Sequence, residues 1–116
     1  MDDDYAYLTT TGRVTGRPHQ IEIWYERSGT TLWLLAGGGH DSDWVANRGQ
    51  DPSCAVRLGR TGAEHRAMAR FPDDDGDEAR AARDAVFAKY QPRNDGDLST
   101  WREQALVVAV DLLPDR

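Results

Sequence analysis

The sequence predicts a mainly β chain with some helix (α+β), folded as a small closed or split barrel of about six mostly antiparallel strands with helices at its margins. Three observations lead there. Short alternating or apolar runs, rich in aromatic and β-branched residues, recur from Tyr5 to Leu112 with turn residues between them. A single segment, opened by Asp77-Glu78, has the spacing of a long helix. The strands are too short and too closely spaced for a doubly wound parallel sheet.

Taken in order, Tyr5-Ala6-Tyr7-Leu8-Thr9-Thr10 reads as the first strand. Gly12, Gly16 and Pro18 punctuate a loop. From His19 to Arg27 the chain alternates: Ile21, Ile23 and Tyr25 take one face, while Gln20, Glu22, Trp24 and Glu26 take the other. Ser28-Gly29 reads as a two-residue hairpin turn into the apolar strand Thr30 to Ala36. That hairpin would set the start of the second strand near the end of the third.

Gly37-Gly38-Gly39 ends the third strand, and Ser42 or Asp43 caps a short helix through Trp44, Val45 and Arg48. A fourth strand, Cys54 to Leu58, turns through Gly59-Arg60-Thr61-Gly62 into a fifth, Glu64 to Phe71. In the long helix Ala79, Ala82, Val86 and Tyr90 fall on one face, and Pro92 and Gly96 interrupt it. Thr100-Trp101-Arg102-Glu103 has capping-box spacing for a final helical turn, and Leu106 to Leu112 is apolar enough to be a central strand.

With 116 residues the chain suits one domain, residues 1–116, whose Asp2-Asp3-Asp4 start is read as a disordered acidic tail. A single core of this size leaves room for a ligand cleft against that core and none for a second catalytic domain. The net charge of -6, with acids clustered at Asp73-Asp74-Asp75 and Asp77-Glu78, excludes the positive footprint of a nucleic-acid binder. Cys54 is the only cysteine, so no internal disulfide forms and a reducing cytoplasm is expected; alternation places it with Val56 and Leu58 as a buried, inert thiol. Neither a signal peptide nor a membrane-length apolar run is evident.

Two glycine loops are the candidates for chemistry. In Thr11-Gly12-Arg13-Val14-Thr15-Gly16-Arg17-Pro18, glycines allow an anion close to backbone amides, hydroxyls donate, and arginines pair with phosphate or carboxylate. Its spacing is neither that of a P-loop nor that of a Rossmann fingerprint. Ala36-Gly37-Gly38-Gly39-His40, before a helix N-terminus, offers exposed amides as well, although Asp41 and Asp43 oppose an anion. Each loop alone reads as an ordinary turn; together, two strands apart, they make a cleft. Trp24, on an otherwise polar face, suits stacking on a planar ligand, whereas Trp33 and Trp101 suit the core. His19, His40 and His65 lack metal-ligand spacing, and no metal site is expected.

At these residues the chain resembles the flavin/deazaflavin oxidoreductase superfamily, and within it the deazaflavin-dependent nitroreductase-like branch. The elements that carry the resemblance are Leu8 to Arg13 with Thr15-Gly16 and Pro18; Ile21 to Tyr25; Leu35-Ala36 with the glycines; Asp43-Trp44 with Asn47; Asp51-Pro52; Val56 to Gly59; and Ala105 to Leu112. It implies a split β-barrel that grips coenzyme F-420 through Thr11, Gly12, Arg13, Thr15, Gly16, Gly37, Gly38, Gly39, Trp44 and Asn47. Trp24, Ala36 and Tyr90 would face the substrate, a small organic acceptor such as a quinone, nitro compound or activated alkene. Related barrels often form homodimers. The implied reaction is hydride transfer from the reduced ring, with no essential acid–base pair and a proton from Tyr25, Tyr90, His19 or solvent. Val14 and Gly37 stand where that branch often has lysine, and Ala36 where it has a hydroxyl residue. Two other readings therefore stay open: an FMN-binding oxidoreductase of the same barrel, or a non-catalytic carrier of a lipid or haem-like ligand.

Overall fold

The computed structural model describes residues 5–11, 16–37, 53–59, 62–73 and 75–114, with the backbone alone at position 11. The acidic start and the short helix expected after Ser42 lie outside these residues. Among these residues seven strands form a single antiparallel sheet in the order β2-β1-β5-β6-β7-β4-β3. They are β1 (Ala6–Thr11), β2 (Pro18–Ile23), β3 (Glu26–Ser28), β4 (Thr31–Ala36), β5 (Ser53–Leu58), β6 (Glu64–Arg70) and β7 (Leu106–Leu112). Among the described residues two α-helices, α1 (Asp77–Tyr90) and α2 (Ser99–Gln104), lie between β6 and β7.

The two ends of the sheet are the two halves of one stretch of chain. β2 pairs with β1, and β3, which follows after only Trp24 and Tyr25, pairs with β4 at the far edge. The alternating run from His19 to Arg27 is thus one strand broken in the middle, which is how about six expected strands become seven. A hydrogen-bonded row traced from His19 passes through Thr10, Cys54, Ala67 and Leu112, whose N–H donates to the carbonyl of Thr30. That row arrives beside Gly29, ten residues along the same stretch of chain. This stagger is what curls a sheet into a barrel. The expected hairpin between the second and third strands therefore holds only for β3 and β4; β2 pairs elsewhere, and its start does not meet the end of β4.

Alternation along the strands sorts the core into two. Ala6, Leu8, Leu32, Leu34, Ala36, Val56, Ala67, Ala69, Val108 and Val110 fill the barrel with Tyr25, and Ile21, Ile23, Cys54 and Leu58 pack on them. Leu35 and Val107, on the opposite face, meet Ala79, Ala82, Val86 and Tyr90 of α1, the four positions predicted from helical spacing. Trp33 and Trp101 join this second core as expected.

Two local readings are corrected. The β3–β4 turn is Gly29-Thr30, with Ser28 paired to Thr31, one residue beyond the Ser28-Gly29 expected. Gly29 has φ +61°, which glycine alone adopts without a Cβ penalty, so it takes the first turn position. No capping box opens α2 at Thr100: the helix begins at Ser99, and Asp97 Oδ1 accepts from both the N–H and the hydroxyl of Ser99. The far end of α2 is held by Arg83, which donates to the carbonyls of Arg102, Glu103 and Ala105 at 2.6, 3.1 and 2.8 Å.

A polar clamp, invisible in the sequence, ties α1 to the barrel. Arg70 donates to Glu78 through both terminal nitrogens at 2.6 and 2.9 Å, and its Nε donates to Asp111 at 2.7 Å. Trp33 Nε1 also donates to Glu78, and the Thr31 hydroxyl to Asp111. The Arg70 hydrogen bonds hold both carboxylates below the usual carboxylate range, and the two acids raise Arg70 above its ordinary value.

Candidate functional site

The break in the β2–β3 strand creates the first element of the site. Where the chain leaves one sheet edge for the other, the Tyr25 N–H and C=O lose their ladder partners, and buried backbone groups demand replacements. Tyr90 supplies them: its hydroxyl accepts from the Tyr25 N–H at 2.9 Å and donates to the Tyr25 carbonyl at 3.0 Å. Lys89 Nζ donates to the same carbonyl at 2.8 Å and lies 3.9 Å from the Tyr25 ring centroid.

The Tyr90 ring then backs Trp24. Their ring centroids are 4.4 Å apart and the planes differ by 5°, while Trp101 meets Trp24 edge-on at 5.7 Å and 86°. Trp24 is therefore clamped on a face and an edge, yet it remains half-buried. It lines an apolar cleft of about 510 Å³ with Tyr5, Glu22, Ile23, Leu35, Leu98 and Trp101. That volume lies within the range of small-molecule sites.

A second cleft, of about 430 Å³, opens at the rim of the barrel beside the first glycine loop. It is lined by Thr9, Thr10, Gly16, Pro18, Ser53, Cys54, Ala55, Arg66, Ala67 and Leu113. Gly16 sits there with φ +72°, in the left-handed region that keeps a glycine in this loop. The two clefts share no lining residue; β2 joins them, with Pro18 at one and Glu22 and Ile23 at the other.

Of the residues singled out in the sequence, Trp24 and Tyr90 come together, and Ala36 does not join them. Ala36 is buried in the barrel interior, on the other side of the sheet from Leu35. Tyr90 is almost fully buried, and its hydroxyl is committed to Tyr25. Gly16 borders the polar cleft, and Gly37 stands beside Trp101, where a Cβ would lie 3.5 Å from the indole. Gly12, Arg13, Thr15, Gly38, Gly39, Trp44 and Asn47 lie outside the described residues, as does the Thr11 side chain. Sequence reading passed over Thr9, Ser53 and Arg66 in the polar cleft and Leu35 and Leu98 in the apolar one. Thr9 and Leu35 fall in segments that carry the resemblance, Ser53, Arg66 and Leu98 in none, and only strand register and packing gather them into clefts. Among the described residues no group of three or more His, Cys, Asp or Glu side chains could hold a metal.

A staggered barrel with a hydroxyl-lined rim cleft and an indole-lined cleft at its broken strand defines a small split barrel with clefts of small-molecule size. The sequence matches the F-420H(2)-dependent quinone reductase family over residues 1–112, and the chain belongs to that family of oxidoreductases. No curated protein matches it. Solved structures share the fold. HutZ, the heme storage protein from Vibrio cholerae, is 13% identical with a TM-score of 0.74, over 98% of this chain and 83% of its own. A putative 5-nitroimidazole antibiotic resistance protein from Bacteroides thetaiotaomicron VPI-5482 is 16% identical with a TM-score of 0.72, over 95% and 73%. An F-420-H2-dependent reductase is 19% identical with a TM-score of 0.70, over 96% of both chains. Among the described residues no helix is long and apolar enough to cross a membrane.

Proposed function

We propose that the chain is a reductase that uses reduced F-420 and passes its hydride to a small planar acceptor, of which quinones are the first candidates. The family match across residues 1–112 carries this reading. The donor set supports it: a planar acceptor needs an apolar, aromatic surface, and the cofactor's anionic tail needs a polar anchor. The cleft at Trp24 offers indoles and leucines, and the rim cleft offers three hydroxyl residues, an arginine and a glycine with exposed backbone. Thr11, Gly12, Arg13, Thr15 and Gly16 would hold the tail, and Gly37, Gly38, Gly39, Trp44 and Asn47 the ring. When bound, the cofactor supplies the hydride; the protein contributes orientation and exclusion of water.

Within that division of labour Trp24 presents a fixed face to the acceptor. Tyr90 and Trp101 hold its plane, so a ring docked there arrives in one orientation. The Tyr90 hydroxyl both accepts and donates within the fold, which removes it as a proton donor and leaves Tyr25, His19 or solvent for that role. FMN, with a ring and phosphate of similar chemistry, is the alternative cofactor, and a ligand carrier is the alternative function. Oxidation of reduced F-420 by menadione in the presence of the purified protein tests the reading. Turnover that falls at least tenfold in Trp24→Ala, with F-420 affinity retained, is expected. No turnover with F-420, together with turnover using FMN, would transfer the role to FMN.

A further inference from the structure

Arg66 is an exposed arginine of β6. Among the described residues Arg70, Arg80 and Arg102 pair with acids, Arg83 binds three carbonyls and Arg27 binds a backbone oxygen. No described acid pairs with Arg66, and Glu64, on the same face of β6, leaves it unpaired. Its position is set by register. Thr9, Ala55 and Arg66 lie side by side in one row across β1, β5 and β6, so their side chains share the outer face of the sheet. Ala55, in the middle, is a single methyl group and leaves a hollow between a hydroxyl and a guanidinium. Ser53, two residues along β5, stands on the same face above that hollow. Thr9 Oγ1 accepts from Gln20 Nε2 at 3.4 Å, which leaves its proton to donate elsewhere. Thr9, Ser53, Ala55 and Arg66 all line the rim cleft that Gly16 borders.

We infer that this hollow is an anion subsite in which Arg66, with Thr9 and Ser53, receives the anionic tail of the bound flavin or deazaflavin. Arg66 is the one cation among the described lining residues of that cleft, and it would act beside Arg13 of the adjoining loop. The planar guanidinium suits phosphate or carboxylate oxygens through paired hydrogen bonds. The inference rests on the cofactor reading above, and the probes are chosen to separate the two.

The test is equilibrium binding by ligand fluorescence, with F-420, with its tail-less deazaflavin riboside, with FMN and with riboflavin. Arg66→Ala is expected to weaken F-420 about tenfold, as for loss of one partly exposed charge-assisted bond, and to leave the riboside unchanged. Arg66→Lys should recover part of the loss, and added salt should weaken the wild type more than Arg66→Ala. Unchanged F-420 affinity in Arg66→Ala overturns the subsite while the cofactor reading stands. Equal losses for F-420 and the riboside also overturn it, because the side chain would then act through the fold. Failure of the wild type to bind any of the four ligands overturns both.

Discussion

The Trp24 indole lies flat on the Tyr90 ring, with centroids 4.4 Å apart and planes within 5°. That contact links the broken strand to the apolar cleft, because the Tyr90 hydroxyl closes the gap in hydrogen bonding at Tyr25. Tyr90→Phe keeps the ring but strands the Tyr25 N–H, whose replacement partner is lost. We expect a loss of about 1–3 kcal/mol in denaturant unfolding, the usual cost of an unsatisfied buried group, together with a shift in tryptophan emission. Unchanged stability and emission would show that the hydroxyl bonds matter to neither fold nor cleft.

The Arg70 clamp predicts acid sensitivity of a definite sign. Glu78 and Asp111 are lowered in the folded state, chiefly by Arg70, so their contribution is complete above their ordinary values, roughly pH 4, and is lost as pH falls through the lowered ones. The Arg70 side chain is 41% exposed, so screening limits each pair to about 0.5–1 kcal/mol. Arg70→Met should therefore be less stable than the wild type at neutral pH, with the difference shrinking below roughly pH 3–4. A difference independent of pH would assign the effect to packing.

Three glycines separate structural from functional demands. A Cβ on Gly62 would stand 2.3 Å from the Leu58 carbonyl oxygen, so Gly62→Ala forces the β5–β6 turn to move and should lower the melting temperature clearly. Gly16→Ala meets no atom within 4 Å and costs only its left-handed backbone, about 1–2 kcal/mol. Gly37→Ala makes ordinary contact with Trp101 and should fold like the wild type. Reduced ligand binding in Gly37→Ala with normal stability would thus mark a ligand contact. A melting temperature lowered as far as that of Gly62→Ala would contradict this ordering.

Much of the barrel was legible because it rests on periodicity. The alternation of Ile21, Ile23 and Tyr25 against Trp24 gave each its correct face, and helical spacing named the buried stripe of α1. The break between β2 and β3 was not legible, since alternation runs through it without interruption; it is a tertiary event, created when one strand serves two sheet edges. The Arg70 clamp and the Thr9–Ala55–Arg66 row were hidden for the same reason. They join residues far apart in sequence, and only register brings them together. The two glycine loops and Trp24 stand out as motifs, whereas Ser53 and Arg66, which line the cleft beside Gly16, carry no local signal.

The proposed occupant of this barrel is F-420. Fluorescence titration of the purified protein with oxidised F-420, and in parallel with FMN, tests it most directly. Saturable binding of F-420 at micromolar concentration, tighter than FMN, is the predicted result. Binding of FMN alone would contradict the cofactor assignment, and binding of neither would contradict the reading of the chain as a reductase.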